Sequence, residues 1–256
     1  MDPIVSIIIP CYNHGHYLNE AIKSVEQSTE KSIYEIIIIN DGSTDEHTLN
    51  VLTSLEHNGY FILHQENLGL AAARNAGINK SKSNYIITLD ADDRIRPPYF
   101  DKGINILDKQ KEIGVVYGQS AYFGVKNGIH KPGNFHLKKL LKSNYINACI
   151  LFRKDVWVAI NGYDNNLTAY EDWDFLLSAA FLGFEIHYLP EIIYEYRISN
   201  ESMLRTHSNL EKCINYIAKK HGLLYRNEFL KTFTISQRIK SSILDLYKKI
   251  IGNPNY

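Results

Sequence analysis

Apolar residues in the first hundred positions come in short continuous runs, and the stretches between them have helical spacing. Residues 4–9 (IVSIII) are broken only by Ser6 and predict a strand buried on both faces. Residues 15–28 place Leu18, Ala21, Ile22 and Val25 three and four positions apart, the spacing of one helix face. Residues 34–39 (YEIIII) predict a second strand, and 44–56 a helix capped by Ser43 or Thr44. A third strand at 60–64, an Ala-rich helix at 70–79 and a fourth strand at 85–89 (YIITL) complete the alternation. The pattern predicts an α/β fold with a mostly parallel central sheet flanked by helices. In such sheets ligands bind beyond the carboxyl ends of the strands. Polar clusters at 10–13, 40–45 and 90–93 each follow a strand directly, so the order predicts that all three meet at one sheet edge.

The second hundred positions are less regular. A helix is expected from Pro97-Pro98 to about 109, a strand at 115–122, a loop rich in Gly and Lys at 124–134, and a strand at 146–152. A helix at 155–160 ends at Asn161-Gly162, and the helix at 171–182 turns Phe175, Leu176 and Ala179 inward. Strand-like segments follow at 185–189 and 192–196, and after about 205 the pattern is helical throughout. Near the end, Ile235, Ile239, Ile243, Leu246, Tyr247 and Ile250 form one apolar stripe flanked by Arg238, Lys240, Lys248 and Lys249. That stripe predicts packing on the rest of the chain or on a partner subunit, which would make a homo-oligomer. The alternative is peripheral contact with an anionic membrane.

Charge and cysteine content narrow the class. Among 256 residues, 28 Lys and Arg balance 28 Asp and Glu, so no basic excess points to nucleic acid. Cys11, Cys149 and Cys213 are odd in number and widely spaced, which argues against a disulfide framework or a thiolate zinc site. The N-terminal run is short and lacks a basic region before it, and no stretch of about 18 apolar residues is present. A cytoplasmic location is expected, at the inner face of a membrane if the C-terminal stripe binds lipid.

Five segments carry candidate chemistry. Asp90-Ala91-Asp92 at a strand end can hold a hard divalent cation against phosphates, although a solvated turn would look the same. Asp41 can accept from a base N–H, and Gly42 lets the backbone approach a ligand; a turn and helix cap is the plainer reading. Arg74 offers a rigid fork of donors, and an ordinary surface Arg is its alternative. In Tyr170-Glu171-Asp172-Trp173-Asp174 one carboxylate can serve as general base beside a Trp173 wall, although acids are favoured at any helix start. Arg197 follows a strand and could meet a diphosphate, or simply sit in a connection. His14-Gly15-His16 has no further ligand nearby, and P-loop, GxGxxG, HExxH and GxSxG patterns are absent.

Taken in order, IIIPCYN, IINDGSTD, ENLGLAAARNAGI, YIITLDADD, YEDWDF and YRISNESM resemble the family 2 inverting glycosyltransferases of the GT-A fold, over about residues 4–205. The resemblance implies a catalytic domain at 1–205, with a nucleotide-binding half (1–93) and an acceptor half (94–205), followed by a helical extension at 206–256. It implies a nucleotide-sugar donor, a UDP-sugar foremost, and a saccharide or lipid-linked acceptor. Pro10, Tyr12, Asn13, Asp41, Arg74, Asp90, Ala91, Asp92 and Arg197 would line the donor site, with Asp41 and Arg74 near the base and Arg197 near the diphosphate. Asp90 and Asp92 would hold Mn2+ or Mg2+, Asp172 would be the catalytic base, and Glu171 and Trp173 would meet the acceptor. Two positions depart from the pattern: Asn40 stands where many members have Asp, and Ser199 lies near the place of a His found in some. A sugar nucleotidyltransferase would be expected to carry a Gly-rich loop with Arg and Lys after the first strand, which 10–15 lacks. Intact Asp90, Asp92 and Asp172 argue against a non-catalytic nucleotide-sugar-binding protein.

Overall fold

The computed structural model describes residues 2–199 and 209–222. Its first half is β1 (Val5–Cys11), α1 (Gly15–Glu26), β2 (Tyr34–Asp41), α2 (Glu46–His57), β3 (Phe61–Gln65), α3 (Leu70–Lys80) and β4 (Tyr85–Thr88). These strands are parallel in the order β3-β2-β1-β4, with Ile7 opposite both Ile36 and Ile87. Successive side chains leave a strand on opposite faces. Ile7, Ile9, Ile36, Ile38 and Ile87 therefore pack with Leu18, Ala21, Ile22 and Val25 of α1, whereas Ile8, Ile37, Ile39 and Ile86 pack on the face of α3. Both faces are covered, which is why the runs are apolar without alternation. The cap of α2 is Asp45, one residue beyond the expected Ser43 or Thr44; its Oδ2 accepts from the Thr48 amide at 2.8 Å.

The second half contains β5 (Arg94–Ile95), a π-helical turn at Tyr99–Gly103 leading into α4 (Ile104–Lys109), β6 (Ile113–Gly124) and β7 (Gly128–His130). After these come α5 (Leu137–Leu140), β8 (Leu151–Arg153), α6 (Lys154–Ala159), α7 (Glu171–Phe181), β9 (Glu185–Ile198) and α8, a helix over Leu210–Lys220. The sheet continues from β4 as β8-β6-β9-β5, with β7 hydrogen-bonded to β6. β8 runs antiparallel to both neighbours, as do β5 to β9 and β7 to β6, while β6 and β9 are parallel. Four parallel pairings thus face four antiparallel ones. The sheet is mixed, which corrects the mostly parallel expectation. An apolar run records burial of both strand faces and carries no information on strand direction.

Three further segments differ from the sequence reading. The loop expected at 124–134 contains β7. The run at 146–152 enters the ladder only at Leu151, because Thr88 takes the Ala148 carbonyl through its hydroxyl at 2.7 Å and the Ile150 carbonyl through its amide at 3.3 Å. The two segments at 185–196 are one strand, β9, whose register against β6 shifts around Gly118 and Gln119. α8 places Cys213 and Ile217 in the same core cluster as Phe175 and Leu176 of α7. Residues 209–222 of the expected extension thus pack on the acceptor half, while the stripe at 235–250 lies outside the described residues. Among the described residues no helix is long and apolar enough to cross a membrane.

Candidate active site

Strand order reverses between β1 and β4, since β2 and β3 lie on one side of β1 and β4 on the other. The crevice beyond such a reversal is where open α/β sheets bind ligands, and the three polar clusters surround it. Pro10 is buried inside β1 opposite Ile39, and Tyr12 stands exposed at the rim. Asn13 has a left-handed backbone (φ 56°), and its Oδ1 accepts from the Thr44 and Asp45 amides at 2.8 and 3.0 Å. That side chain ties the loops after β1 and β2 together, and the Asn13 amide adds a bond to Ser43 Oγ at 3.1 Å.

Asn40, the departure noted in the sequence, has a physical role. Its Oδ1 accepts from the Ser43 amide at 2.9 Å, and its Nδ2 lies 3.1 Å from His64 Nδ1, whose Nε2 lies 2.9 Å from Glu56. A His64 that donates from Nε2 to Glu56 needs a donor at Nδ1, which an ionised Asp could not supply. Asp41 is buried, and its oxygens accept from Gln65 Nε2 (2.7 Å) and from the Leu68 (2.9 Å) and Gly69 (3.0 Å) amides, so it fixes the loop leading into α3. Gly42 has φ +71°, and a Cβ there would lie 2.5 Å from the Asn67 nitrogen; the position accepts only glycine without strain.

After β4 the chain turns tightly, with the Asp93 amide donating to the Asp90 carbonyl at 3.0 Å and Ala91 buried. Burial first, and the Asp90 charge second, push the Asp92 carboxyl above its ordinary value. Asp93 is buried and raised further, by burial and then by Asp92 and Asp90, and it accepts from the Arg197 amide at 2.9 Å. Arg197 braces this turn: its Nε donates to the Asp92 carbonyl at 2.8 Å, it pairs with Glu20, and it lies over Tyr17 and Phe123 at 4.3 and 4.2 Å. The sequence predicts it at the diphosphate or in an open connection; in the structure its Nε and Nη2 are engaged by the Asp92 carbonyl and Glu20. No group of three or more His, Cys, Asp or Glu among the described residues converges on a metal position. Asp90 and Asp92 instead offer a pair of hard oxygen donors, which suits a divalent ion that completes its shell with water and phosphate oxygens.

Arg74 departs most from expectation. It is 1% exposed, its Nη2 donates to Asp90 Oδ1 at 2.8 Å, and its Nη1 pairs with Glu171. Burial alone would weaken its charge, but Asp90 and Glu171 outweigh that and hold the guanidinium above its ordinary pKa. The fork is therefore directed at two carboxylates and not at a base, and Glu171, itself buried, is engaged by Arg74 and not open to an acceptor. Trp173 is likewise core, with its indole N–H donating to the Leu140 carbonyl at 2.7 Å.

Asp172 lies between Glu171 and Trp173, in the first turn of α7. The preceding Tyr170 has a left-handed backbone (φ 63°), an unusual conformation for a bulky residue that aims the start of the helix. Asp172 Oδ2 accepts from Asn144 Nδ2 at 2.9 Å, and Oδ1 from the Trp173 amide at 2.8 Å. Burial, followed by repulsion from Glu171, pushes its carboxyl up to about 7, against the opposing pull of Arg74, Asn144 and the Trp173 amide. Neither Asn144 nor Glu20 was marked by the sequence, because each acts through a partner far along the chain: 28 residues separate Asn144 from Asp172, and 177 separate Glu20 from Arg197.

The chain is similar to known proteins in sequence and in fold. The chain is 24% identical to an uncharacterized glycosyltransferase of Methanocaldococcus jannaschii over 230 residues, covering 85% of this chain and 79% of that one. It is 27% identical to the hyaluronan synthase of Pasteurella multocida over 237 residues, 88% of this chain but 24% of the synthase. Its fold matches S. aureus TarS 1-349, solved in complex with UDP-GlcNAc, with a TM-score of 0.71 at 17% identity, over 84% of this chain and 66% of that one. The profile of Glycosyl transferase family 2 matches residues 6–165, more than half of the sequence, and the chain belongs to that family and is a glycosyltransferase.

Proposed function

We propose that the chain transfers a sugar from a nucleotide-diphosphate donor, in first place a UDP-sugar, to a hydroxyl of a saccharide or lipid-linked acceptor, with inversion at the anomeric carbon. The observation that carries this reading is Asp172, a carboxylate with a raised pKa joined through Glu171 and Arg74 to the Asp90 end of the crevice. A base of that strength is suited to work near neutral pH. Asp172 takes the proton of the acceptor hydroxyl while that oxygen bonds to the anomeric carbon and the bond from that carbon to the diphosphate oxygen breaks. The nucleoside diphosphate leaves on the opposite face, and no covalent enzyme intermediate forms.

Asp90 and Asp92 are the residues that would hold Mn2+ or Mg2+. The raised proton affinity of Asp92 beside Asp90 supports this, since such a pair gains from a cation. A divalent ion bound there supplies positive charge against the diphosphate. Arg74 keeps Asp90 oriented, and Arg197 fixes the turn that carries Asp92. Asp41 and Asn13 shape the loops at the base end, and Tyr12 is the exposed side chain there.

Calorimetric titration with UDP-, GDP- and dTDP-sugars, with and without Mn2+, tests the reading. Asp92→Ala is expected to lose metal-dependent donor binding, and Asp172→Asn to keep donor binding and lose transfer. Equal loss of donor binding in both variants would overturn this division of roles.

A further inference from the structure

Residues 113–154 contain six Lys and one Arg without a single Asp or Glu, although the whole chain has a formal charge of zero. Three of these cations serve the fold: Arg153 donates to the Ile113 carbonyl at 2.9 Å, Lys154 to the Ser81 carbonyl at 2.7 Å and Lys139 to the Pro132 carbonyl at 3.0 Å. Around α5, Lys138, Lys139 and Lys142 line a groove together with Phe135, His136 and Leu137. Lys139 lies over the Tyr145 ring at 4.0 Å, and Lys138 and Lys142 are exposed.

The groove is joined to the first turn of α7 at two points. The Trp173 indole N–H donates to Leu140 of α5, and Asn144 donates to Asp172 itself. Lys142 is two residues from Asn144, about 7 Å of backbone at most. Carboxylates thus crowd the donor side (Asp90, Asp92, Asp93, Glu171), and ammonium groups crowd the segment bonded to Asp172. A concave groove with an aromatic and an aliphatic side chain among its lysines fits a sugar ring that carries an anion. A membrane plane would instead call for a projecting apolar face.

We propose that this groove is an acceptor subsite for a phosphate-bearing saccharide, with the phosphate held by Lys138 and Lys142 and the attacking hydroxyl delivered to Asp172. The inference rests on Asp172 as the base.

The test uses glucose 6-phosphate and glucose as probes, with binding followed by NMR at low and high NaCl. Wild-type protein is expected to prefer the phosphate by about tenfold, as one charge-assisted contact would give. Added salt should shrink that preference. A double variant, Lys138→Glu with Lys142→Glu, should abolish it while binding the nucleotide-sugar donor as wild type does, which also reports its folding; Lys138→Gln with Lys142→Gln should reduce it. Equal binding of both probes by wild type would overturn the proposal, as would a variant that keeps the preference. Capture of phosphatidylglycerol vesicles by the wild type alone, without sugar-phosphate preference, would overturn it in favour of a membrane face. Intact phosphate preference together with no binding of any donor would strike the transferase reading and spare the groove.

Discussion

Asp172 and Asp90 lie 82 positions apart and are linked through one guanidinium, with Glu171 between Asp172 and Arg74. As the proposed base, Asp172 must be ionised to accept a proton, so its upward shift has a direct kinetic reading. The rate of transfer is expected to rise with pH through about 7 and level off above it. An ordinary carboxylate would put that limb at about 4. A profile flat from pH 5 to 8 would remove Asp172 from the role. The Asn144 hydrogen bond holds this pKa down, so Asn144→Ala should move the limb to higher pH; a merely structural Asn144 would leave it in place. Replacing Asp172 by Asn should cost about 10²–10⁴-fold in kcat, the usual worth of a general base. Arg74→Met leaves Glu171 buried without a partner, and a loss of ~3–5 kcal/mol in urea unfolding is expected. Adding Glu171→Met should recover most of it, because the penalty lies in the unpaired charge.

Among the elements, α3 sits unusually close to the sheet. A Cβ on Gly77 would lie 2.6 Å from Ile39 Cδ1 and 2.7 Å from Ile8 Cγ2, so Gly77→Ala should destabilise by ~1–3 kcal/mol in the same assay. The cost falls toward the lower figure if those Ile ends swing aside. The elements of the first half were legible in the sequence because one physical constraint, burial on both faces, wrote itself into contiguous runs such as 34–39. β8 shows where that signal ends. Its apolar run gives burial, whereas its antiparallel direction depends on how the chain returns past β4 and β6. The clusters at 10–13, 40–45 and 90–93 were placed at one edge by topology alone. The partners of Arg74 were not legible, since a fork that could face a ligand or two carboxylates has the same single-letter code. The distance to Glu171, 97 residues, removes any local pattern.

For the molecule as a whole, α8 closes the acceptor half with charge. Lys220 reaches both Asp164 and Asp174 at 2.8 Å, and His221 reaches Asp174 at 2.8 Å. Burial would raise Asp164, but Lys220 and Asn166 outweigh it and hold the carboxyl at about 2. A folded pKa below the unfolded one stabilises the fold above the ordinary carboxylate value, and that stabilisation is lost as pH falls through the folded value. Protection of the α8 amides against hydrogen exchange should therefore fall between about pH 4 and pH 2, ahead of protection in β1 and β2. Protection lost together in all three would show that α8 has no separate acid transition. Asp174 stands two residues after Asp172 on α7, so release of α8 bears on the helix that carries the proposed base.

Asp41 leaves a consequence for anyone who would re-engineer the donor. Its carboxylate binds the amides of Leu68 and Gly69 immediately before α3, and α3 carries Arg74. A library built at Asp41 to recruit a different nucleotide would unfasten the start of that helix as well. Altered selectivity should then come with slower turnover, and second-site revertants should cluster at 65–69 and not around the base.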